Sequence, residues 1–329
     1  METALFKLYK RILEVDSTSG KERELALLLH DSLEAPQKEL FEVGDGTLNL
    51  LLKWGNTPKI VYCTHIDTVP PYIAPSFDEE KAYGRGTCDA KGQIIALYGA
   101  CLRLAQEGKS DFALLLLSGE ETGSFGAKAF SGKLEAPILV IGEPTDNKPL
   151  SATKGTLSYD LQFIGKPVHS GYPDEGRSAI DMWMDFMMEL EIEAEFPRDK
   201  VLGETTWNVG LLRSDNAQNV LSPELTCRIY FRTTFASHEA VKRWMGKKRA
   251  NINITERGGD VPHEYFVPEG FKGKTAAFGS DAPHLSGFGH KIICGPGNIL
   301  CAHTAEEMVL LKDLDQAIEN NIKFYNINI

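Results

Sequence analysis

The fold of this chain is decided by four segments: KIVYCTHIDTVP at residues 59–70, GRGTCDAKGQ at 84–93, LLLLSGEETGS at 114–124 and ILVIGEPTD at 138–146. Apolar runs in these segments stop at acidic residues or a histidine. A short apolar run bounded by Gly or Pro is typical of a buried strand in a parallel sheet. The polar residue after it lies at the carboxyl edge, where open α/β folds bind ligands. That edge would collect one imidazole and five carboxylates, namely His65, Asp67, Asp89, Glu120, Glu121 and Glu143.

These side chains predict a site for two metal ions. Five carboxylates and an imidazole cannot lie together as bare charges, because repulsion and desolvation would oppose folding. His65 ends a strand, and Asp67 follows either as the carboxylate that orients the imidazole or as a turn cap. Asp89 lies in a glycine-flanked loop, where it either bridges two cations or caps the next helix.

A pair of adjacent glutamates follows the most apolar run of the chain. Glu120 and Glu121 would point in different directions, so that one binds metal and the other acts on a bound water; an ordinary acidic loop is the alternative. Glu143 ends a further strand. His303, in GPGNILCAHTAEE at 295–307, falls between a strand and the closing helix and so belongs to the same edge.

Composition narrows the class of protein. The chain has 329 residues, of which 42% are hydrophobic, and a formal net charge of -11. This length allows two domains. The negative charge disfavours nucleic acid and anionic membranes as partners, although simple solubility also explains it. No run approaches a membrane span, and the first 15 residues lack a signal-peptide pattern. Six scattered cysteines without a CxxC pair favour reduced thiols and a cytoplasmic location.

The order of predicted elements at the two ends of the chain indicates an α/β domain. Strands at 60–64, 112–117 and 138–141 alternate with a helix at 91–106, which favours a mostly parallel sheet with helices on its faces. The same pattern resumes near residue 263. It ends in a closing helix predicted at 306–324, where Thr304 and Glu307 have capping-box spacing.

The middle of the chain has a different pattern. Its order of strand, helix, strand, strand, helix, strand favours a ferredoxin-like α+β unit. We place this unit at residues 152–262, inserted into a catalytic domain formed by residues 1–151 and 263–329.

Taken together, these motifs resemble the M20 family of dinuclear zinc aminoacylases and exopeptidases. The resemblance rests on HIDTVP, GRGTCDAKG, SGEETGS, IGEPT, PVHSG at 167–171, NVLSPELTCRIYFR at 219–232 and the HTAEE ending, which occur in family order over nearly the whole chain. It implies a metal-binding α/β catalytic domain. It also implies that the inserted unit is a lid through which two chains form a homodimer.

The resemblance also implies a role for each motif residue. His65 and Glu143 would bind one Zn²⁺, Glu121 and His303 the other, and Asp89 would bridge them beside a cis Asp89–Ala90 peptide. Co²⁺ or Mn²⁺ would also suit these ligands. The remaining roles would be orientation of His65 by Asp67, general-base catalysis by Glu120, oxyanion stabilisation by the partner subunit's His169, and substrate contacts by Asn219 and Arg232.

The reaction implied by the resemblance is hydrolysis of an amide bond. The leading expectation is an amidohydrolase that releases the free amino acid from an N-acyl amino acid, most similar to acetylornithine deacetylase. The alternatives are an exopeptidase acting on short peptides and a hydrolase that frees lysine or ornithine from an amino-group carrier protein. A non-catalytic metal-binding dimeric scaffold is a further alternative, and the presence of Glu120 with all five ligands argues against it.

Overall fold

The computed structural model describes residues 2–44, 46–192 and 194–327, and the chain divides into two compact units. The first unit contains the chain up to Ser151, Tyr265–Lys274, and the chain from Ser280 onward. The second contains Ala152–Glu264 and Thr275–Gly279, so it includes seven residues beyond the range 152–262 predicted for the insert. The predicted fold class, a mostly parallel α/β sheet with a ferredoxin-like α+β unit, is confirmed.

The elements before the insert begin with two helices and end with strands that are separated by helices, as predicted. They are α1 (Thr3–Leu13), α2 (Arg23–Ser32), β1 (Gln37–Gly44), β2 (Thr47–Lys53), β3 (Ile60–His65), β4 (Ser76–Phe77), β5 (Lys81–Tyr83), α3 (Lys91–Gln106), β6 (Phe112–Leu117), α4 (Phe125–Phe130) and β7 (Ala136–Ile141).

The remaining elements form the insert and return to the first unit. They are β8 (Leu150–Thr153), β9 (Gly155–Ile164), α5 (Ala179–Ile192), β10 (Thr206–Arg213), β11 (Glu224–Thr233), α6 (His238–Met245), β12 (Ile252–Gly258), β13 (His263–Glu264), β14 (Lys274–Ala276), β15 (Phe288–Ile293), β16 (Met308–Leu310) and α7 (Leu311–Tyr325). Strands β8, β13 and β14 form a small sheet where the chain passes between the units.

The main sheet of the first unit has the order β1-β2-β6-β3-β7-β15. The pairs β6-β3, β3-β7 and β7-β15 are parallel, whereas β1-β2 and β2-β6 are antiparallel. Every residue of β3 and β6 is buried, as expected for strands covered on both faces. The four parallel strands therefore end at one edge, and the residues that follow them meet there.

Helices cover this sheet with apolar faces. In α1 the buried positions Leu5, Leu8, Tyr9 and Ile12 recur at helical spacing. The longer α3 is buried over most of its length and packs against α1 and α7 as well as β3 and β6. This packing makes β3 and β6 rigid supports for the side chains at their carboxyl ends.

The closing helix begins later than predicted. Helix α7 starts at Leu311, because residues 308–310 form β16 and pair with β5 in the register Met308↔Tyr83. The backbone carbonyl of Glu307 accepts a hydrogen bond from the N–H of Gly84. The predicted capping box at Thr304 is therefore wrong, because this segment extends along β5 instead of starting a helix.

The second unit is a four-stranded antiparallel sheet in the order β10-β11-β9-β12. Its chain order, β9-α5-β10-β11-α6-β12, gives the ferredoxin-like topology. Its buried core includes Phe163, Phe186, Phe231 and Trp244. Over both units, none of the helices within the described residues is long and apolar enough to cross a membrane.

Candidate metal centre

The carboxylate of Asp89 lies between two imidazoles. Its Oδ1 is 3.0 Å from Nε2 of His65, and its Oδ2 is 3.3 Å from Nε2 of His303. His303 Nε2 is also 2.9 Å from Oε1 of Glu121. One carboxylate that presents a different oxygen to each of two histidines has the arrangement required of a bridging ligand.

The ligand atoms form two groups that share Asp89. In each group the atoms lie within 4.8 Å of one another: the first is His65, Asp89 and Glu143, and the second is Asp89, Glu121 and His303. A third group within the same limit joins His65 with Glu120 and Glu121. Within the part of the chain that the structure describes, Glu143 Oε1 is buried without a hydrogen-bond partner, which is costly unless another partner binds it. The donors fit divalent cations, because imidazole and carboxylate ligands suit zinc and similar ions.

Asp67 organises both the histidine and the glutamate pair. Nδ1 of His65 lies 3.0 Å from the backbone oxygen of Asp67 and 3.3 Å from its Oδ1. The backbone N–H groups of Glu120 and Glu121 donate to the same carboxylate, at 3.0 and 3.1 Å. Asp67 therefore fixes the start of the acidic loop as well as the imidazole, a wider role than the sequence predicts.

Ser19 is a partner of this carboxylate that the sequence did not identify. Its hydroxyl donates to Asp67 Oδ2 at 2.9 Å. Ser19 lies ahead of α2, which begins at Arg23. A short bridge between Thr18 and Thr68 holds the two segments together. A serine before a helix carries no sequence signal for such a long-range contact.

The turn that carries Asp89 depends on glycine. Gly84 and Gly86 have φ values of 116° and 84°, a region that disfavours side chains. A Cβ at Gly84 would also lie 2.9 Å from the carbonyl oxygen of Ala74. The Asp89–Ala90 peptide is cis, as the family resemblance implied.

The carboxylates and imidazoles shift each other's pKa values. Burial raises the pKa of Glu143 well above its ordinary value, and the charge of Glu120 adds to the effect. Burial likewise raises the pKa of Glu120, against the opposing charge of His65. Hydrogen bonds to Asp89 and Glu121 raise the pKa of His303 to about 10. Removal of divalent cations from such a cluster would therefore favour uptake of protons, and binding of cations would release them.

Asp281 is a further buried acid at this edge that the sequence did not identify. The residue is 2% exposed, and its Oδ1 has no hydrogen-bond partner among the described residues. Burial raises its pKa to about 6, and its charge acts on both Glu120 and Glu143. No apolar run precedes it in the sequence, so the strand-end pattern that located the other acids does not apply to it.

These shifts predict how the stability of the metal-free protein depends on pH. The pKa values of Glu120 and Glu143 are raised above 4.5, and those of His65 and His303 above 6.5. The folded state thus binds more protons than the unfolded chain, so its stability falls as pH rises. We expect the Tm of metal-free protein to decrease from about pH 5 to pH 9.

Scanning calorimetry in the presence of a chelator would measure this trend. The zinc-loaded protein is the control, and its Tm should fall less, because bound cations replace the protons. The lowered pKa of Asp89 acts in the opposite direction only below about pH 4, outside the interval tested. A metal-free Tm that increased across the interval would contradict the assigned shifts.

The three predicted residues of the second unit lie at two different ends of its sheet. His169 pairs with Val220 in an isolated bridge, and the N–H of Ser170 donates to the carbonyl oxygen of Asn219. Arg232 lies near the other end of β11, opposite Thr156. The eight-residue step from Glu224 to Arg232 spans roughly 27 Å, since a strand rises about 3.4 Å per residue. The unit therefore brings His169 and Asn219 together, but not Arg232.

The match to a known family covers most of the chain. The model of peptidase family M20/M25/M40 matches residues 61–325. The chain belongs to this family. An M20 domain-containing protein of Schizosaccharomyces pombe is 31% identical over 342 residues, covering 99% of this chain and 85% of that protein. A probable carboxypeptidase of Paracoccidioides brasiliensis is 30% identical, covering 98% and 85%.

A solved structure supports the architecture as well. The structure of a tripeptidase from Staphylococcus aureus superposes with a TM-score of 0.77, at 19% identity, over 99% of this chain and 98% of that one. As an M20 peptidase, this protein is a hydrolase of a metal-dependent family. The two ligand groups that share Asp89 supply a potential metal site. The predicted family is confirmed, whereas a narrower subfamily is a matter for proposal.

Proposed function

We propose that this M20 protein is a dinuclear zinc-dependent amidohydrolase that releases a C-terminal amino acid from a short peptide or an N-acyl amino acid. The observation that carries the proposal is the placement of Asp89 between His65 and His303, each of which has a further carboxylate beside it. A partly buried glutamate with a raised pKa, Glu120, lies within the same cluster.

The two ligand groups assign residues to the two ions. His65, Asp89 and Glu143 would hold one ion, and Asp89, Glu121 and His303 the other. Divalent cations bound there would polarise the scissile carbonyl and lower the pKa of a water. Zn²⁺ suits this donor set, and Co²⁺ or Mn²⁺ are also compatible with it.

Glu120 would carry the proton during the reaction. Burial raises its pKa, so its carboxylate is a stronger base than an exposed glutamate. It would accept the proton of the attacking water and pass it to the leaving amine nitrogen. The hydrogen bond from its backbone N–H to Asp67 holds the start of its loop in place for both steps.

The first prediction of this proposal concerns metal content. Wild-type protein is expected to bind two ions per chain, and Asp89→Ala is expected to lose both, because Asp89 belongs to both ligand groups. Elemental analysis after dialysis measures this directly. Asp160→Ala is the control, since Asp160 pairs with Arg228 in the second unit and should retain both ions. An Asp89→Ala protein that kept two ions would rule out the bridging role.

The proposed substrate is an N-acyl amino acid, a short peptide or an amino acid linked to a carrier protein. The sequence resemblance favours N-acetylornithine, whereas the similar proteins named above are a probable carboxypeptidase and a tripeptidase. A carrier-protein-linked lysine or ornithine is the third possibility within the same reaction class. All of these substrates have an amide bond next to a free amino-acid carboxylate.

The positions of the lid residues support a homodimer. His169 and Arg232 lie near opposite ends of one lid sheet, and the step from Glu224 to Arg232 alone spans roughly 27 Å along the strand, so two residues expected to contact one substrate lie far apart within one chain. Two chains would resolve this if the partner subunit supplied His169 and Asn219. We also propose a cytoplasmic location, which the six free cysteines support.

A panel of substrates tests the reaction. Zinc-loaded protein would be incubated with N-acetylornithine, other N-acetyl amino acids, dipeptides and tripeptides, and the released amino acid would be measured. The matched controls are the same compounds with an amidated C-terminus, which should not be cleaved. Cleavage of the amidated forms at equal rates would contradict release of a C-terminal amino acid, and no cleavage of any member would favour the scaffold alternative.

A further inference from the structure

Glu307 is a buried glutamate that neither ligand group includes, although it contacts the loop of the bridging aspartate. Its side chain is 1% exposed. Its Oε1 accepts three backbone hydrogen bonds, from the N–H groups of Gly86 at 3.0 Å, Cys88 at 3.1 Å and Asp89 at 3.1 Å. A single carboxylate oxygen thus fixes the backbone at Gly86, Cys88 and Asp89.

Arg85 binds the other oxygen of the Glu307 carboxylate. Its Nη1 lies 2.5 Å from Oε2 of Glu307, and the Arg85 side chain is only 2% exposed. The same Nη1 donates to the backbone oxygen of Thr304 at 3.3 Å. A fixed guanidinium therefore joins the turn that carries Asp89 to the residue that directly follows His303.

We propose that Glu307 and Arg85, here called the loop clamp, are positioning residues that set the distance between Asp89 and His303 and thereby the affinity for the second metal ion. The proposal rests on the two-metal function proposed above. Glu307 lies four residues after His303, and the N–H of Gly84 also donates to its backbone oxygen at 3.0 Å. In each of these contacts the loop that carries Asp89 donates the hydrogen bond and the segment after His303 accepts it.

The clamp should affect the two ions unequally. In the second group, both Asp89 and His303 lie on clamped loops, whereas only Asp89 does so in the first. The other ligands of the first group, His65 and Glu143, sit at or just after the ends of buried strands. His303 is 48% exposed and so has less packing of its own to hold it. Loss of the clamp should therefore weaken the second ion more than the first.

Glu307→Gln is the sharpest variant, because it keeps the size of the side chain and an oxygen acceptor while removing the charge. Loss of a partner that orients metal ligands typically lowers metal affinity about 10- to 100-fold. We expect a loss of this size for the second ion, whose affinity should be the weaker of the two, and a smaller loss of affinity for the first ion. Titration of metal-free protein with Zn²⁺ against a chromogenic chelator measures both affinities without any assay of activity.

A second variant and a control separate positioning from general stability. Arg85→Lys keeps the charge but lacks the second nitrogen, Nε, which donates to the backbone oxygen of Pro71 at 3.3 Å and fixes the guanidinium. It should therefore weaken the same ion, and it remains informative if Glu307→Gln does not fold. Asp199→Asn is the control. Its carboxylate also accepts three backbone hydrogen bonds, from Val201, Leu202 and Ala236, but it lies in the second unit. It should lower Tm without changing either metal affinity.

The outcomes distinguish the clamp from the proposed function. A wild-type protein that binds two ions, with variants that lose the weaker one and recover kcat in excess zinc, supports the clamp. If both clamp variants have a lower Tm but wild-type affinity for both ions, Glu307 is structural only and the clamp is wrong. Fewer than two ions on the wild-type protein would overturn both proposals.

Discussion

Glu120→Gln is expected to lower kcat on the order of 10²- to 10⁴-fold while leaving metal content unchanged, because general acid–base catalysis typically contributes that much. The substitution keeps the shape of the side chain and removes its capacity to accept a proton. The fold should survive, since it is the backbone N–H of Glu120, not its carboxylate, that donates to Asp67. Steady-state kinetics on the best substrate of the panel, together with elemental analysis, would measure both quantities.

Glu121→Gln is the matched control for this prediction. The two glutamates are adjacent and donate their N–H groups to the same aspartate, but only Glu121 contacts His303, at 2.9 Å. Glu121→Gln should lose metal affinity, and excess zinc should restore part of its activity, whereas excess zinc should not rescue Glu120→Gln. Because Glu120 also lies in a group with His65, loss of an ion from Glu120→Gln would reassign it as a ligand. Unchanged kcat would exclude it as the base.

The residues at the ends of the parallel strands were predictable from the sequence because their position follows from a local pattern. An apolar run that stops at an acid or a histidine defines both a buried strand and the residue at its carboxyl end, as for His65 and Glu143. Adjacent parallel strands then bring these ends together without further information. The structure places these two side chains with Asp89 in one ligand group.

The residues that support the ligands were not predictable in this way. Ser19, Asp281 and Glu307 lie in irregular segments, and each reaches the site through contacts between residues far apart in the sequence. Glu307 illustrates the difficulty. Its spacing from Thr304 favoured a helix cap, but pairing of residues 308–310 with β5 outweighed that local preference. Tertiary pairing of this kind has no periodic signal in a single sequence.

His169→Ala is expected to lower kcat on the order of 10²- to 10³-fold and to retain both metal ions, because removal of one oxyanion donor typically has this effect. His169 lies in the second unit, is exposed, and accepts a hydrogen bond at Nδ1 from the N–H of Gly171 at 3.1 Å. That contact leaves Nε2 available to donate to a substrate oxygen. Kinetics and metal analysis of the variant would test this, and a wild-type kcat would exclude the role.

Mixing two inactive variants tests which subunit supplies His169. In a hybrid dimer of Glu120→Gln and His169→Ala chains, one site would carry both substitutions and the other neither, provided that each lid serves the partner's metal centre. Activity should then return towards half of the wild-type value per hybrid dimer.

The control mixes Glu120→Gln chains with Asp89→Ala chains. Both substitutions belong to a chain's own metal centre, so neither site of the hybrid dimer is intact and no activity should return. If subunit exchange is demonstrated and the first mixture also stays inactive, His169 does not act on the neighbouring site. The separation of His169 from Arg232 within one lid would then need a different explanation.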